Sequence, residues 1–304
     1  MSAMRGSLVP VVTPFRKGQL DDTRFVDLLE WQIDSGSHGV VVAGTTGEPS
    51  ALTPEEREHL VELAVRTVRR RVPVIAGTGT NNYAETLRFT QVAKRIGADA
   101  ALVVVPYYIR PTQEGLYRYF HSIATAVDLP VFIYNIPGRT AVNLEAHIIA
   151  RLARDCRNII GVKEANKDFE HINRVIHLCG RNFLVYSGIE LLCFPVLAIG
   201  GAGHVSATAN ILPREVARLY DLAAGGQWDA ARDLHYRLLP MNEALFLETN
   251  PVPAKTALGL MGKIDPEVRL PLAPMAPENI ERLKQVMASY GLMPQPARAS
   301  DAMR

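Results

Sequence analysis

Ile159-Ile160-Gly161-Val162-Lys163-Glu164 is the stretch on which the reading of this chain turns. It is a strand-like run of β-branched residues with a lysine near its end. A near-continuous apolar run of this length is what a strand buried on both faces looks like. A lysine is rarely placed in such surroundings. Burial disfavours the charged form of an amine and leaves a free base that can attack a carbonyl. Lys163 is therefore a candidate Schiff-base nucleophile. The competing reading is a lysine whose head reaches solvent at the strand end, or one held in an ion pair with Glu164 or another carboxylate.

Seven further runs rich in Val and Ile surround it: Leu8–Thr13, Gly39–Gly44, Pro73–Gly79, Ala100–Tyr107, Val131–Pro137, Phe183–Gly188 and Gly203–Asn210. Between them lie helical patterns with recognisable starts and stops. Thr53-Pro54-Glu55-Glu56 combines an N-cap, a proline at the first helical position and a capping-box glutamate. Leu60, Leu63, Ala64 and Val68 then fall on one face. Asn82 with Glu85 reads as a similar start. Asp168 opens a third helix, with Gly180 as its stop. Arg69-Arg70-Arg71 reads as the last turn of a helix, favoured by the helix dipole. Eight strand-then-helix units, recurring every roughly 20–35 residues, match an α/β fold of the (β/α)₈ TIM-barrel type better than an open doubly wound sheet. No G-x-G-x-x-G follows the first strand. The expected organisation is a barrel carrying the active site over 1–225, a C-terminal helical extension over 226–293, with periodicity through Trp228–Leu247 and near Ile280–Met287, and a loose tail over 294–304.

Composition narrows the function classes. The 304 residues are 48% apolar and 21% charged, with a net charge of +2 and no long run of one sign. Nothing here calls for a nucleic-acid or anionic-membrane partner. Cys156, Cys179 and Cys193 give an odd count with no C-x-x-C pair, which fits reduced thiols better than a disulfide framework. Met1 to Gly6 has no apolar signal core, and the apolar stretch Leu191 to Ala202 is too short to span a membrane. The expectation is a cytoplasmic protein with no membrane partner.

In a (β/α)₈ barrel the active site lies at the C-terminal ends of the strands, and the unusual residues collect there. The second run ends in Gly44-Thr45-Thr46-Gly47-Glu48, the fourth in Pro106-Tyr107-Tyr108, and the fifth in Tyr134-Asn135-Ile136-Pro137-Gly138-Arg139-Thr140. The sixth carries Lys163 and the seventh ends in Ser187-Gly188. Each has a plain structural reading as a turn or a barrel cap. Their joint placement on one face is harder to explain structurally.

The combination GTTGE, PYY, YNIPGRT and GVKEA, in this order and spacing, resembles the dihydrodipicolinate synthase / N-acetylneuraminate lyase superfamily from about Leu8 to about Pro274. The resemblance implies a barrel with a helical extension, no metal and no cofactor, and an imine between a 2-oxo acid such as pyruvate and the sixth-strand lysine, Lys163. It makes Tyr134 the general acid/base. Thr45 and Thr46 become the pair that holds the pyruvate carboxylate and relays a proton to Tyr134. Tyr108 completes the relay from a neighbouring subunit. Arg139 binds a carboxylate of the second substrate, and Gly188 and Val205 supply backbone carbonyls near the keto acid. A homo-oligomer, a dimer of dimers, is implied as well.

Thr45-Thr46, Arg139 and the fragment Glu248–Lys255 resemble the synthase branch, which condenses pyruvate with aspartate semialdehyde in lysine biosynthesis. Two features depart from it. Ser187-Gly188-Ile189-Glu190 stands where typical synthases carry Ser-Gly-Asp-Asp. Together with Asn166–His171 it resembles a subgroup of aldolases acting on 2-oxo-4-hydroxy diacids such as 2,4-dihydroxyhept-2-enedioate, so the aldehyde partner and the direction of reaction stay open. Lysine-inhibited synthases carry two histidines where this chain has Pro54 and Arg57, although Asn81, Glu85 and Tyr107 match that allosteric site. Feedback by lysine is expected to be weak or absent.

Two other classes fit less well. A metal-dependent barrel enzyme needs clustered His and carboxylate ligands. The sequence has no H-x-H or H-E-x-x-H, and His204, near the eighth strand, reads as a packing histidine. A non-catalytic binding protein on the same fold would be expected to have lost Lys163 or Tyr134. The glycines of Gly77-Thr78-Gly79 and Gly200-Gly201-Ala202-Gly203 read as close packing at strand ends, not as phosphate cradles.

Overall fold

All eight apolar runs form strands, and the strands close into one parallel barrel. The computed structural model describes residues 4–293, and the expected tail over 294–304 lies outside them. The barrel strands are β1 (Gly6–Pro10), β2 (Gly39–Val42), β3 (Val74–Gly77), β4 (Ala100–Val104), β5 (Val131–Asn135), β6 (Ile159–Glu164), β7 (Leu184–Ser187) and β8 (Gly203–Val205). β8 returns to β1 with Gly6 opposite Gly203 and Leu8 opposite Val205. Helices α1 (Asp22–Asp34), α2 (Pro54–Val68), α3 (Tyr83–Ile96), α4 (Gln113–Ala126), α5 (Ala146–Asp155), α6 (Phe169–Cys179), α7 (Cys193–Ala198) and α8 (Pro213–Ala224) follow the strands in turn. Three more follow among the described residues: α9 (Trp228–Ala244), α10 (Val252–Leu260) and α11 (Pro277–Ser289).

The helix starts are where the sequence places them. Thr53 accepts from the Glu56 amide while Glu56 reaches back to the Thr53 amide, a complete capping box. Asn82 and Asp168 cap α3 and α6, and Gly180 ends α6. The arginine run does not form a last turn. Arg69 and Arg70 sit just past Val68 in the left-handed region, at φ 52° and 61°, and stop the helix there. Arg71 still serves the helix end: its guanidinium donates to the Val68 and Thr67 carbonyls and forks onto Glu30 at 2.7 Å.

Several strands end earlier than the apolar runs. β8 stops at Val205 because Ala207–Asn210 winds into a 3₁₀ turn. The Asn210 side chain then takes over the work of a strand, accepting from the Val12 amide and donating to the Pro10 carbonyl. The strand-end glycines are packing residues. A Cβ at Gly77, Gly79 or Gly203 would collide with the backbone of Ala43, Val104 or Gly6.

Two apolar layers hold the fold. The larger lies between strands and helices, and includes Ile133, Ile159, Val162 and Val185. The smaller fills the barrel, and includes Leu8, Phe132, Tyr134, Ile160, Leu184 and Tyr186. β6 contributes to both with a change of phase. Val131 pairs with Ile159 but Phe132 pairs with Gly161, so Ile160 is an extra residue in β6. Strict alternation would put Ile160, Val162 and Glu164 on one face. The bulge resets the phase: Ile160 lies in the barrel, Val162 outside it, and Lys163 inside beside Tyr134. Gly161 makes this possible, because a Cβ there would fall on the Leu184 carbonyl and the Phe132 ring.

His204 is a packing residue, as its sequence context indicates. It is buried, with Nε2 3.1 Å from the Val216 carbonyl and Nδ1 without a partner. Burial pushes its pKa down from 6.5 to about 4. The unfolded chain therefore binds a proton here that the folded one refuses, and the stability lost as pH falls from 6.5 toward 4 is about 3 kcal/mol. Urea unfolding at pH 7 and pH 4.5 checks this. The wild type is expected to lose about 2–3 kcal/mol more than His204→Gln over that interval, and equal losses would contradict the assignment.

Candidate active site

β5 and β6 run side by side with Tyr134 opposite Lys163. Both side chains are buried, and the Lys163 Nζ lies 4.1 Å from the centre of the Tyr134 ring. The next pair in the register is Asn135 and Glu164, which alternation sends to the outer face. Glu164 accordingly meets His171 on α6, 3.1 Å from Nε2, so the reading of Lys163 as the ion-pair partner of Glu164 does not hold. The stem of Lys163 is covered by the loop after β7. A Cβ on Gly188 would come within 2.9 Å of the Lys163 Cε, which explains a glycine at that position.

The loop after β2 brings a hydroxyl to the phenol. Thr45–Gly47 forms a 3₁₀ turn, and the Thr45 Oγ1 lies 3.4 Å from the Tyr134 Oη. Thr46 is buried, and its Oγ1 accepts from the Asn250 side chain at 2.9 Å. Glu48 ends the turn at φ 53°, a conformation that costs a non-glycine residue about 1 kcal/mol or more. It is held by a buried ion pair with Lys255, 2.6 Å from Nζ, and by the Arg269 amide at 3.3 Å. Burial pushes the Lys255 ammonium down and Glu48 opposes that shift. The Arg269 guanidinium forks onto Glu56 at 2.6 and 2.7 Å and also reaches the Ala51 carbonyl. Residues of the segment after the barrel, Lys255 on α10 and Asn250 and Arg269 on the connections either side of it, thus fix the loop that faces Tyr134.

Arg139 stands on a helical turn after β5, Pro137–Thr140, and its Nη2 donates to the Asn250 carbonyl at 3.2 Å. Thr45, Tyr134, Arg139 and Asn250 share the wall of one cleft of about 490 Å³, to which Arg57, Glu85 and Tyr107 also contribute. Val205 is buried in the barrel interior with Tyr134. Tyr108 stands apart. It is 87% exposed on the loop after β4, at φ 75°. Of the eight sequence-designated residues, Thr45, Tyr134 and Arg139 line the cleft, Lys163, Thr46, Gly188 and Val205 stand at the strand ends beside or beneath them, and Tyr108 projects from the barrel. Sequence reasoning gave no role to Glu48, Asn250, Lys255 or Arg269. The GTTGE motif held Glu48 and the fragment Glu248–Lys255 held Asn250 and Lys255, while nothing pointed to Arg269.

The Ile189-Glu190 departure is an internal feature. Glu190 is buried and accepts from the Ala207 amide at 2.7 Å. Burial raises its pKa, with the Ala207 hydrogen bond opposing. It ties the loop after β7 to the end of β8.

A parallel barrel that holds an amine against a phenol, with a hydroxyl within reach and a cationic guanidinium in the cleft wall, has the arrangement of the enzymes that form imines with carbonyl substrates. The chain belongs to the dihydrodipicolinate synthetase family, whose model matches residues 3–289. It is similar to the 4-hydroxy-tetrahydrodipicolinate synthase of Syntrophobacter fumaroxidans, with 52% identity over 290 residues, 95% of this chain and 99% of that one. Among solved structures, the dihydrodipicolinate synthase from Aquifex aeolicus superposes with a TM-score of 0.95 at 42% identity, covering 96% of this chain and all of the other. A dihydrodipicolinate synthase variant characterised as monomeric superposes with a TM-score of 0.94 at 40% identity, covering 96% and 98%.

Proposed function

We propose that this chain is a Schiff-base lyase that acts as a 4-hydroxy-tetrahydrodipicolinate synthase, joining pyruvate to aspartate semialdehyde in lysine biosynthesis. The observation that carries the reading is the Lys163 amine lying 4.1 Å from the Tyr134 ring inside the barrel. Family membership and relatives named as this synthase over nearly their whole length support it. They favour it over cleavage of a 2-oxo-4-hydroxy diacid. The amine attacks the keto carbon of pyruvate. Tyr134 protonates the hydroxyl that leaves as water, and the resulting iminium accepts the electron pair left when a methyl proton departs. The enamine carbon then attacks the aldehyde carbon, whose oxygen takes up a proton, and the semialdehyde's amino group adds to the regenerated iminium and displaces the Lys163 amine, closing the ring and freeing the enzyme. No external cofactor is needed for these steps. Thr45 passes protons to the phenol, Thr46 and the backbone of its turn hold the pyruvate carboxylate, and Gly188 and Val205 face the keto acid. Arg139 pairs with the carboxylate of the semialdehyde.

Incubation with pyruvate, borohydride reduction and peptide mapping tests the mechanism. A pyruvyl adduct on the Lys163 peptide is expected, and it should vanish in Lys163→Ala. An adduct that persists in that variant removes Lys163 from the reaction. Turnover with aspartate semialdehyde, set against 2,4-dihydroxyhept-2-enedioate, then decides the substrate.

Inhibition by lysine is expected to be weak or absent. Arg57 is buried, donates to the Gly77 and Gly79 carbonyls, and stacks 4.3 Å over Phe89. Burial lowers its pKa to about 10, so it remains a cation at neutral pH, in the cleft wall it shares with Glu85 and Tyr107. A ligand ammonium there would meet a fixed like charge. Inhibition by sub-millimolar lysine in a steady-state assay would overturn this.

Tyr108 is read as completing the relay in a neighbouring subunit, within a cytoplasmic dimer of dimers. Its exposure fits that role. Sedimentation of the soluble cell fraction should find the protein there, at twice the chain mass or more. A fully active monomer would exclude Tyr108 from the relay.

A further inference from the structure

Behind Tyr134 and Lys163, on the outer face of the same two strands, lies a buried polar cluster that the chemistry above does not use. Asn135 and Glu164 follow the two site residues and stand opposite one another in the register. Both are fully buried. The Asn135 amide nitrogen donates to both oxygens of Glu164, at 2.9 and 3.2 Å. The Asn166 amide donates to Oε1 at 3.2 Å, and the His171 Nε2 lies 3.1 Å from Oε2. Asn135 Oδ1 in turn accepts from the Leu144 amide, and Asn143 Oδ1 receives the side-chain amides of Asn135 and Asn166. The cluster joins β5, β6, the segment before α5 and the first turn of α6.

Stability does not account for it. A buried carboxylate costs several kcal/mol to desolvate, and well-packed apolar residues of the same volume often do as well or better. What such a cluster does supply is a unique alignment. β6 needs that, because the bulge at Ile160 breaks its alternation and leaves its phase undecided by hydrophobic pattern alone. The Asn135–Glu164 bonds lie beyond the bulge, one residue after the site.

We propose that Asn135, Glu164 and His171 form a positioning element for the site, holding β5 and β6 at the one relative height that sets the Tyr134 phenol against the Lys163 amine. These residues touch no substrate and act through their neighbours. The proposal rests on the Schiff-base reading of Lys163.

The test uses the full chain, wild type beside His171→Phe and His171→Gln, with folding checked by circular dichroism. Two quantities are read: the rate of borohydride trapping of pyruvate on Lys163, and kcat and KM for pyruvate. His171→Phe removes one of the three partners of Glu164 and leaves Asn135 and the Asn166 amide. It is expected to slow trapping and kcat by about tenfold or more while KM stays within about threefold, as misplacement of reacting groups does. His171→Gln can still donate to Glu164 and is expected to recover most of the loss. If His171→Phe does not fold, His171→Gln still decides, since near wild-type trapping is then required of it. Trapping in the wild type with unchanged rates in a folded His171→Phe overturns this proposal alone. So does a loss confined to KM, or a His171→Gln no better than the phenylalanine variant. No adduct in the wild type overturns the Schiff-base reading and this proposal with it.

Discussion

An amine pointing into the barrel beside a phenol is the constraint on which the rest of the structure depends. A β-strand offers an inward position every second residue, and β6 reaches the one it needs for Lys163 by inserting Ile160. That insertion requires Gly161, since the Phe132 ring and the Leu184 carbonyl occupy the space of a side chain. It also sends Glu164 outward into the α6 side of the sheet, where His171 and Asn135 receive it. One residue of slip in β6 therefore touches the interior packing, the buried polar cluster and the position of Lys163 at once.

The mouth of the barrel is completed from elsewhere in the chain. Thr45 stands near Tyr134 on a short turn that ends in a left-handed Glu48. The turn is held by Asn250, Lys255 and Arg269, residues more than 200 positions away in sequence. Removing one member of the Glu48–Lys255 pair would leave the other charge buried and alone, a loss of about 3–5 kcal/mol in comparable cases. The segment after the barrel thus holds the turn that carries Thr45.

Much of this could be read from the sequence, for identifiable reasons. Buried parallel strands are near-continuous β-branched runs, so all eight appeared. The caps at Thr53, Asn82 and Asp168 are local devices, complete within four residues, and the helices begin where those devices place them. Lys163 drew attention because a charge in an apolar run is conspicuous. The features that sequence missed depend on contacts between distant segments. Ile160 looks like any other strand residue, and its extra count appears only against β5. Glu48 and Lys255 stand in separate motifs, and their pairing appears only when the turn and α10 are brought together. The arginine run misled because its composition suits a helix end, while the left-handed backbone that places it beyond that end has no compositional signature.

The reach of Arg269 has a consequence for synthesis. Its guanidinium closes onto Glu56 and Ala51, and its amide onto Glu48. A chain leaving the ribosome can close all eight strands soon after β8 emerges, yet the turn carrying Thr45 still lacks its anchors. Lys163 and Tyr134 would already be neighbours with nothing to hold the hydroxyl in reach of the phenol. A chain truncated before Asn250 therefore lacks every one of these anchors, and the turn carrying Thr45 is completed only by the last fifth of the polypeptide.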